Sequence, residues 1–411
     1  MNLLPSSTAG NFGSSVKRLR IAVLNRTFST TRGGAERYSI ALVEQLAARH
    51  EIHVFAQEID HIWPGVHYHL VSSPVLKPRW VNQLWFAACT WRLTRTGFDV
   101  VHSHENTWHG NVQTVHVLPV KYNLFKRVKG WRLFVNWIKV ATSPRLLVYL
   151  GLERFRFSFC SNKKVVVTSD SLRAIVETTY PAWKKMISII TPGITMPLFA
   201  QTRLHKETAR ALLGLPIDGN CILFVANDFR KKGLETLLKA LALCPDDFML
   251  AVVGNNPQRG IYAEQVRKLD ISNRVFFIGT LRNIASAYEA ADCLVHPTLD
   301  DTFAMVVLEA MSHGLPVVVS GAKYCGISSL LQHGVNAWIL DDPTNASELH
   351  HALEVVLSQS ATKNRMGQFA KEFAIHYQWS NLASVQELVY LAAIPANPNN
   401  GIDDPLGRVV N

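Results

Sequence analysis

Ile222-Leu223-Phe224-Val225-Ala226-Asn227-Asp228-Phe229-Arg230-Lys231-Lys232-Gly233-Leu234 joins an apolar run, a charged loop and the opening of a helix. The run reads as a buried strand, and apolar spacing continues the helix over 234–243. Strands over 249–253 and 275–278 follow, separated by a helix near 262–269. A helix over 284–291, the strand Cys293-Leu294-Val295, a helix over 305–311 and the strand Pro316-Val317-Val318-Val319 complete the series. Alternation at this spacing implies a parallel sheet covered by helices.

The first half has the same grammar. Leu19-Arg20-Ile21-Ala22-Val23-Leu24 reads as a strand, and Gly33-Gly34 as a turn. Tyr38, Ala41, Leu42 and Leu46 recur at helical spacing before the strand Ile52-His53-Val54-Phe55, which makes a β-α-β unit. Strand candidates lie at Val100-Val101, 112–117, 165–168 and 187–190. Thr191-Pro192-Gly193 is the natural break between domains. The expected fold is therefore α/β, with two doubly wound domains and a ligand between them. Ligands of such sheets sit outside the carboxyl ends of the strands, so the loops there should carry the chemistry.

A chain of 411 residues has room for two or three domains and large cores. Its 48% apolar and 18% charged residues exclude a disordered or collagen-like chain. No run of about 18 apolar residues offers a membrane-spanning helix, and no apolar run follows a basic start as a secretory signal requires. The reading predicts a cytoplasmic protein. Six cysteines without a C-x-x-C pair argue for reduced thiols rather than a disulfide framework or a zinc site.

Charge divides the halves. Up to residue 190 there are 25 Lys/Arg against 10 Asp/Glu, and beyond it 17 against 21. Within 121–164 eleven Lys/Arg face one acid, Glu153, interleaved with Tyr122, Phe125, Trp131, Phe134, Trp137, Tyr149, Phe155, Phe157 and Phe159. Basic residues with aromatics suit an anionic membrane surface or a phosphorylated lipid. Nucleic acid would be drawn by the same charges, and a solvated helical face with its aromatics in the core is the plainer alternative.

Four clusters fall in the strand-end loops. In Thr31-Arg32-Gly33-Gly34-Ala35-Glu36-Arg37 the glycines allow backbone N–H groups to approach an anion at a helix N-terminus, or simply form a tight turn. In the second, Arg230, Lys231 and Lys232 are three successive cations whose repulsion a diphosphate would relieve; a solvated loop is the alternative. The third runs from His296 to Met311. Its Glu309 lies in an apolar helix, where a buried carboxylate needs hydrogen-bonding partners such as sugar or ribose hydroxyls. Asp301, at the loop-helix junction, reads as a ligand contact or a helix N-cap. The fourth cluster places His102, His104-Glu105 and His116 at strand ends facing the inferred cleft, as structural or catalytic histidines. His116 is the preferred catalytic candidate.

The Gly33-Gly34 loop, Arg230-Lys231-Lys232-Gly233 and Asp301-x7-Glu309 followed by Gly314-Leu315-Pro316-Val317 resemble the family 4 retaining glycosyltransferases of GT-B fold. Together with Ala322-Lys323-Tyr324-Cys325-Gly326, the loop from Asn227 most resembles the lipopolysaccharide core glucosyltransferases within that family. The similarity covers about 20–392 and is stronger in the second half. It implies a flexible tail over 1–18, an acceptor-binding domain over 19–192 and a nucleotide-sugar domain over 193–378. A helix over 379–394 would return to the first domain, and 395–411 would be a tail.

By position, the resemblance makes Glu309 the ribose ligand, Asp301 the partner of donor-sugar hydroxyls and Arg230, Lys231 and Lys232 diphosphate ligands, Lys232 the best match. The backbone near Gly279-Thr280-Leu281 would receive the base. Gly33 and Gly34 would approach phosphates or acceptor, and His116 would lie near the anomeric carbon, with His104, a substrate-binding candidate, at the end of the preceding strand. Two positions depart from the family. Asp301 replaces the first Glu of E-x7-E, and Asn227 stands where many members carry Arg.

The implied activity is hexosyl transfer with retention, from a UDP-hexose to a hydroxyl of a lipopolysaccharide core or other lipid-linked glycan. The protein would be peripheral on the inner face of the cytoplasmic membrane. No metal or other cofactor is expected, because the cations would stabilise the leaving diphosphate and no Asp-x-Asp triplet is present. A GT-B-type nucleotide-sugar epimerase would not need the basic aromatic segment. A non-catalytic nucleotide-sugar-binding protein would fit the Asp301 departure but not the retained lysines. No nucleic-acid partner is expected, since that would leave Glu309 unexplained.

Overall fold

The structure, a computed structural model, describes residues 18–29, 33–75, 77–160, 162–197, 202–257 and 259–395. The expected tails at 1–18 and 395–411 lie outside the described residues except for Arg18 and Pro395, as do Thr31 and Arg32 of the glycine loop.

The amino-terminal strands are β1 (Arg20–Leu24), β2 (Thr27–Phe28), β3 (Glu51–Ala56), β4 (Glu58–Ile59), β5 (Val66–Leu70), β6 (Val100–Ser103), β7 (Val112–Val115), β8 (Lys164–Val167) and β9 (Ile187–Ile189). Seven form one parallel sheet in the order β5-β3-β1-β6-β7-β8-β9, and β2 pairs with β4 beside it. Helices α1 (Gly34–Leu46), α2 (Arg79–Thr94), α3 (Trp131–Thr142), α4 (Pro144–Arg156) and α5 (Asp170–Thr179) accompany them.

The second sheet contains β10 (Asn220–Val225), β11 (Phe248–Val253), β12 (Val275–Gly279), β13 (Cys293–His296), β14 (Val317–Ser320) and β15 (Trp338–Leu340), in the order β12-β11-β10-β13-β14-β15. Its helices are α6 (Arg203–Leu213), α7 (Leu234–Leu241), α8 (Arg259–Lys268), α9 (Ala285–Ala290), α10 (Met305–Ser312), α11 (Ala346–Ser358) and α12 (Ser360–Ile375). Both sheets reverse their strand order once, between β1 and β6 and between β10 and β13. Those reversals are where crevices open.

The apolar run that opened the sequence reading is buried on both faces, as a central parallel strand requires. Ile222 and Phe224 of β10 pack with Leu234, Leu237 and Leu238 of α7. Cys221, Leu223 and Val225 face Val307, Leu308 and Met311 of α10. Each large apolar side chain buried this completely contributes about 1.5–3 kcal/mol.

Element ends moved by one to three residues, and β7 stops at Val115, so His116 lies in the following loop rather than in a strand. The edge strand β5 was not anticipated. Its Val-His-Tyr-His-Leu alternation puts Val66 and Tyr68 toward the core while the histidines take the opposite face.

The chain crosses between domains twice, and the crossings lie side by side. Ile194 donates its N–H to the Tyr377 carbonyl at 2.9 Å, and Trp379 donates to the Ile194 carbonyl at 3.2 Å. A β-carbon at Gly193 would stand 2.7 Å from Leu382 and 2.8 Å from the Trp379 ring, so only glycine passes. Beyond the second crossing α13 (Trp379–Ala393) returns to the first domain. There Trp379, Ala383, Val389, Tyr390 and Ala393 share a core with Ile21, Val23 and Val54. Among the described residues no helix is long and apolar enough to cross a membrane.

Candidate active site

The carboxyl ends of the two sheets face each other across a cleft of about 790 Å³. On the carboxy-terminal side its floor is set by close packing of two loops. Gly233, with φ +79°, would bring a β-carbon to 2.0 Å from the Pro297 carbonyl oxygen, so the loop after β10 lies against the loop after β13 only because residue 233 is glycine. The approach places Lys232 Nζ 2.5 Å from Asp301 Oδ2 and 3.3 Å from the Asp300 carbonyl, and Lys231 Nζ 3.3 Å from Asp300 Oδ2.

Asp301 is more heavily engaged than a sugar-binding carboxylate would be. Its Oδ1 accepts from the backbone N–H of Phe303 at 3.2 Å and Ala304 at 2.9 Å, while Oδ2 accepts from Lys232 and lies 3.1 Å from His296 Nε2. Burial pushes its pKa up, but His296 and Lys232 outweigh that and hold the group ionised well below the usual carboxylate range. Four donors occupy its acceptor sites. Asp301 is not the N-cap of α10 either, since Ala304 holds that position without a side-chain cap; its carboxylate instead pins the loop ahead of the helix through the N–H groups of Phe303 and Ala304, where Ala304 adopts a left-handed φ of +70°.

The expected relief of three crowded cations by an anion needs correction as well. Asp300 and Asp301 already pair with Lys231 and Lys232, and Arg230 is exposed and does not line the cleft. Thr280 and Leu281, following β12, do line it.

Glu309 is not left for a ligand to satisfy. Arg37 Nη1, from α1 of the other domain, lies 3.0 Å from Oε1, and Tyr288 OH donates to Oε2 at 2.6 Å. The carboxylate stands in a side recess of about 320 Å³ that shares Arg37, Ile284 and Met305 with the main cleft. Sequence reasoning missed Arg37 and Tyr288. Arg37 sat inside the quoted glycine loop, but nothing in the chain says that it meets a residue 272 positions away.

On the amino-terminal side Gly33 and Gly34 line the cleft at the start of α1, which has no side-chain cap. A β-carbon on Gly34 would be 3.4 Å from Met305 Sδ, so the N-termini of α1 and α10 face each other closely. His116 lines the cleft and His104 does not. His104 Nδ1 lies 2.9 Å from His116 Nε2, and the Tyr38 ring meets His116 edge-on at 5.0 Å. His104 therefore orients His116 rather than touching a ligand. Burial, then nearby Arg156, pushes His116 down to about 3, and burial likewise holds His104 well below its ordinary range. Both imidazoles are neutral at pH 7.

The basic segment resolves into two kinds of residue. Glu153 is buried, accepting from the backbone N–H of Val120 and Lys121 and from Tyr180 OH; Arg156 is buried against Gln113 and the Thr114 carbonyl, its pKa lowered to about 10 by burial. Phe157 is also core, stacked on Tyr180. The rest face out. Trp131, Phe134, Trp137 and Ile138 of α3 are between 48% and 74% exposed, beside the exposed Arg132 and Lys139. Apart from Phe125, whose ring lies 4.7 Å from that of Trp137, no group among the described residues covers this apolar face of the helix.

Comparison with known proteins agrees with this architecture. Residues 32–196 match the Glycosyltransferase Family 4 model, and residues 205–373 match Glycosyl transferases group 1. Between them the matches take in both domains, and the chain belongs to the family 4 glycosyltransferases of GT-B fold. D-inositol 3-phosphate glycosyltransferase of Corynebacterium diphtheriae is 31% identical over 55% of this chain and 55% of its own length. Lipopolysaccharide glucosyltransferase WaaG of Escherichia coli is 26% identical over 55% of this chain and 61% of its own. The chain thus spans little more than half the length of these curated relatives. The crystal structure of WaaG superposes with a TM-score of 0.75 at 21% identity, over 92% of this chain and all of that one. Anabaena HepE in complex with UDP and glucose superposes with a TM-score of 0.69 at 18% identity, over 90% and 99%.

Proposed function

We propose that the protein transfers a hexosyl group from a UDP-sugar, with retention, to a hydroxyl of a lipid-linked glycan such as a lipopolysaccharide core. The observation that carries this reading is the convergence, on one interdomain cleft, of Lys231, Lys232 and the facing N-termini of α1 and α10. Backbone N–H groups and two ammonium groups there suit a diphosphate. As the bond from the anomeric carbon to the diphosphate oxygen breaks, negative charge grows on the leaving group beside the helix N-termini, and Lys231 and Lys232, paired with Asp300 and Asp301, have further N–H donors to share with it. Such preorganised donors are worth about 2.7–4 kcal/mol each in comparable sites. Asp301 holds Lys232 in place, and neutral His116 can accept a hydrogen bond near the sugar without adding charge. In this reading the diphosphate is met by side chains and helix ends, and no resident metal or cofactor is invoked.

Two features support the acceptor class. A second recess of about 200 Å³ shares Asp301 and Thr302 with the donor cleft and is lined on its other sides by Tyr122, Arg127, Ser171 and Lys323, which suits a polar, partly anionic acceptor. The exposed apolar face of α3, flanked by cations, suits the surface of an anionic membrane and supports a peripheral position on its cytoplasmic face. The name of the Escherichia coli relative supports glucose and lipopolysaccharide, and the HepE complex supports UDP.

The test is thermal unfolding with UDP, GDP, ADP and NAD in turn, repeated on Lys232→Ala. A ligand at 100 times its Kd adds about 2.7 kcal/mol of stability. A rise with UDP alone that is lost in the variant is the expected result; no rise with any nucleoside diphosphate would sink the reading.

A further inference from the structure

On the side of the amino-terminal sheet away from the cleft, at the starts of β3 and β5, four ligand-type side chains share one face. Alternation along the strands puts Glu51, His53, His67 and His69 on the same side, and the register pairs His53 with His67 and Phe55 with His69. His53 is central. Its Nε2 is 2.8 Å from Glu51 Oε1, its Nδ1 is 2.9 Å from His69 Nε2, and the His67 ring stacks on it with centroids 4.6 Å apart. One ligand atom from each of Glu51, His53 and His67 lies within 4.8 Å of the others.

The hydrogen bonding of this cluster does not close. Arg20 Nε donates to Glu51 Oε1 at 3.0 Å and also points at His53 Nε2 at 3.4 Å. With a proton on Nε2, His53 opposes the arginine N–H; without one, its lone pair opposes the carboxylate. Either tautomer leaves one unfavourable contact. A divalent cation between Nε2, the carboxylate and His67 removes it, because all three atoms then turn lone pairs toward positive charge. His53 Nδ1 keeps its proton and donates to His69, the kind of bond that fixes a metal-bound imidazole. Arg20, about half exposed, has other partners to fall back on, the Gly97 carbonyl at 3.1 Å and the Phe98 ring.

We propose that Glu51, His53 and His67 bind a zinc ion on the β3–β5 edge, with water as the fourth ligand and His69 as the partner of His53. Two imidazoles and a carboxylate suit four-coordinate zinc at about 2.0–2.2 Å. Exposed His67 and partly exposed Glu51 can draw in to those distances by rotamer change. The site lies at the amino ends of the strands and the sugar cleft at their carboxyl ends. Zinc here ties the outer strand β5 to its neighbour and takes no part in transfer, so the inference stands apart from the proposed activity.

The test uses the full chain without an affinity tag, incubated with zinc chloride, desalted and assayed for metal by mass spectrometry. Wild type is expected to retain one zinc per chain and to unfold at higher temperature with it. His67→Ala and the near-isosteric Glu51→Gln should retain none and show no zinc-dependent rise, while unfolding like metal-free wild type. His69→Ala should bind about 10- to 100-fold more weakly. Wild type that retains no zinc, or either ligand variant that retains the full amount, overturns the site.

Discussion

The two domains share a strand order and divide the chemistry unequally. Loops of the carboxy-terminal sheet present charges already paired, Lys231 with Asp300 and Lys232 with Asp301, packed against one another through Gly233. Loops of the amino-terminal sheet present uncharged imidazoles over a buried arginine, and keep their free charge on an outlying helix. One side is prepared for a ligand whose charge is fixed. The other combines a neutral surface facing the cleft with a separate exposed apolar and basic helix, which under the proposed function suits an acceptor held mainly from a distance.

The sharpest way to break this contrast is Gly233→Ala. A β-carbon at 2.0 Å from a carbonyl oxygen with φ at +79° must separate the two loops, and we expect a loss of several kcal/mol of stability, on the order of 4, together with donor binding; an unchanged denaturation midpoint would refute the packing argument. Next, Lys232→Ala should lower kcat/KM about 10²- to 10³-fold, and it should also lower the unfolding temperature, because it leaves the largely buried Asp301 carboxylate without its cation. His104→Ala should cost less, about tenfold in kcat with KM held, on the view that it only orients His116; a larger loss than in His116→Ala would reverse the roles assigned here.

On the docking face, Trp131→Ser with Phe134→Ser should reduce binding to anionic vesicles at least tenfold and leave UDP binding intact, each buried aromatic being worth about 1.5–3 kcal/mol. Equal binding of wild type to neutral vesicles would break the electrostatic half of the account.

The smallest effect concerns pH. His102 and His116 are pushed from an ordinary 6.5 down to about 3 by burial. As pH falls through 6.5 the unfolded rings take up protons that the folded ones refuse, so stability is full above that value and declines toward pH 3. His116→Asn should flatten the decline in the urea midpoint between pH 7.5 and 5.

The carboxy-terminal sheet was legible because its strands are buried on both faces and read as unbroken apolar runs bounded by Gly and charged loops. The Val-His-Tyr-His-Leu of β5 was not, because an edge strand with one wet face and no β-branched majority looks like a loop. Lys231, Lys232, His116 and the paired glycines were found from their places at strand ends. The partnership of Glu309 with Arg37 and Tyr288 was not, because it depends on how two domains meet, and a local pattern carries no trace of that. Asp301 illustrates the same limit: sequence offered a ligand contact or a helix N-cap, and the four donors around it show a carboxylate that fixes the loop ahead of the N-cap.

The returning helix α13 bears on how the molecule is made. Its Trp379, Ala383 and Tyr390 complete the core beneath β1 and β3, so the amino-terminal sheet keeps an open apolar face until α13 has been synthesised. The second domain also draws on a late helix, α12, whose Ala370 and Ala374 belong to its core, but its own strands are made late as well. Synthesis in chain order therefore leaves the amino-terminal sheet exposed for longer, the stage at which aggregation competes most strongly with folding.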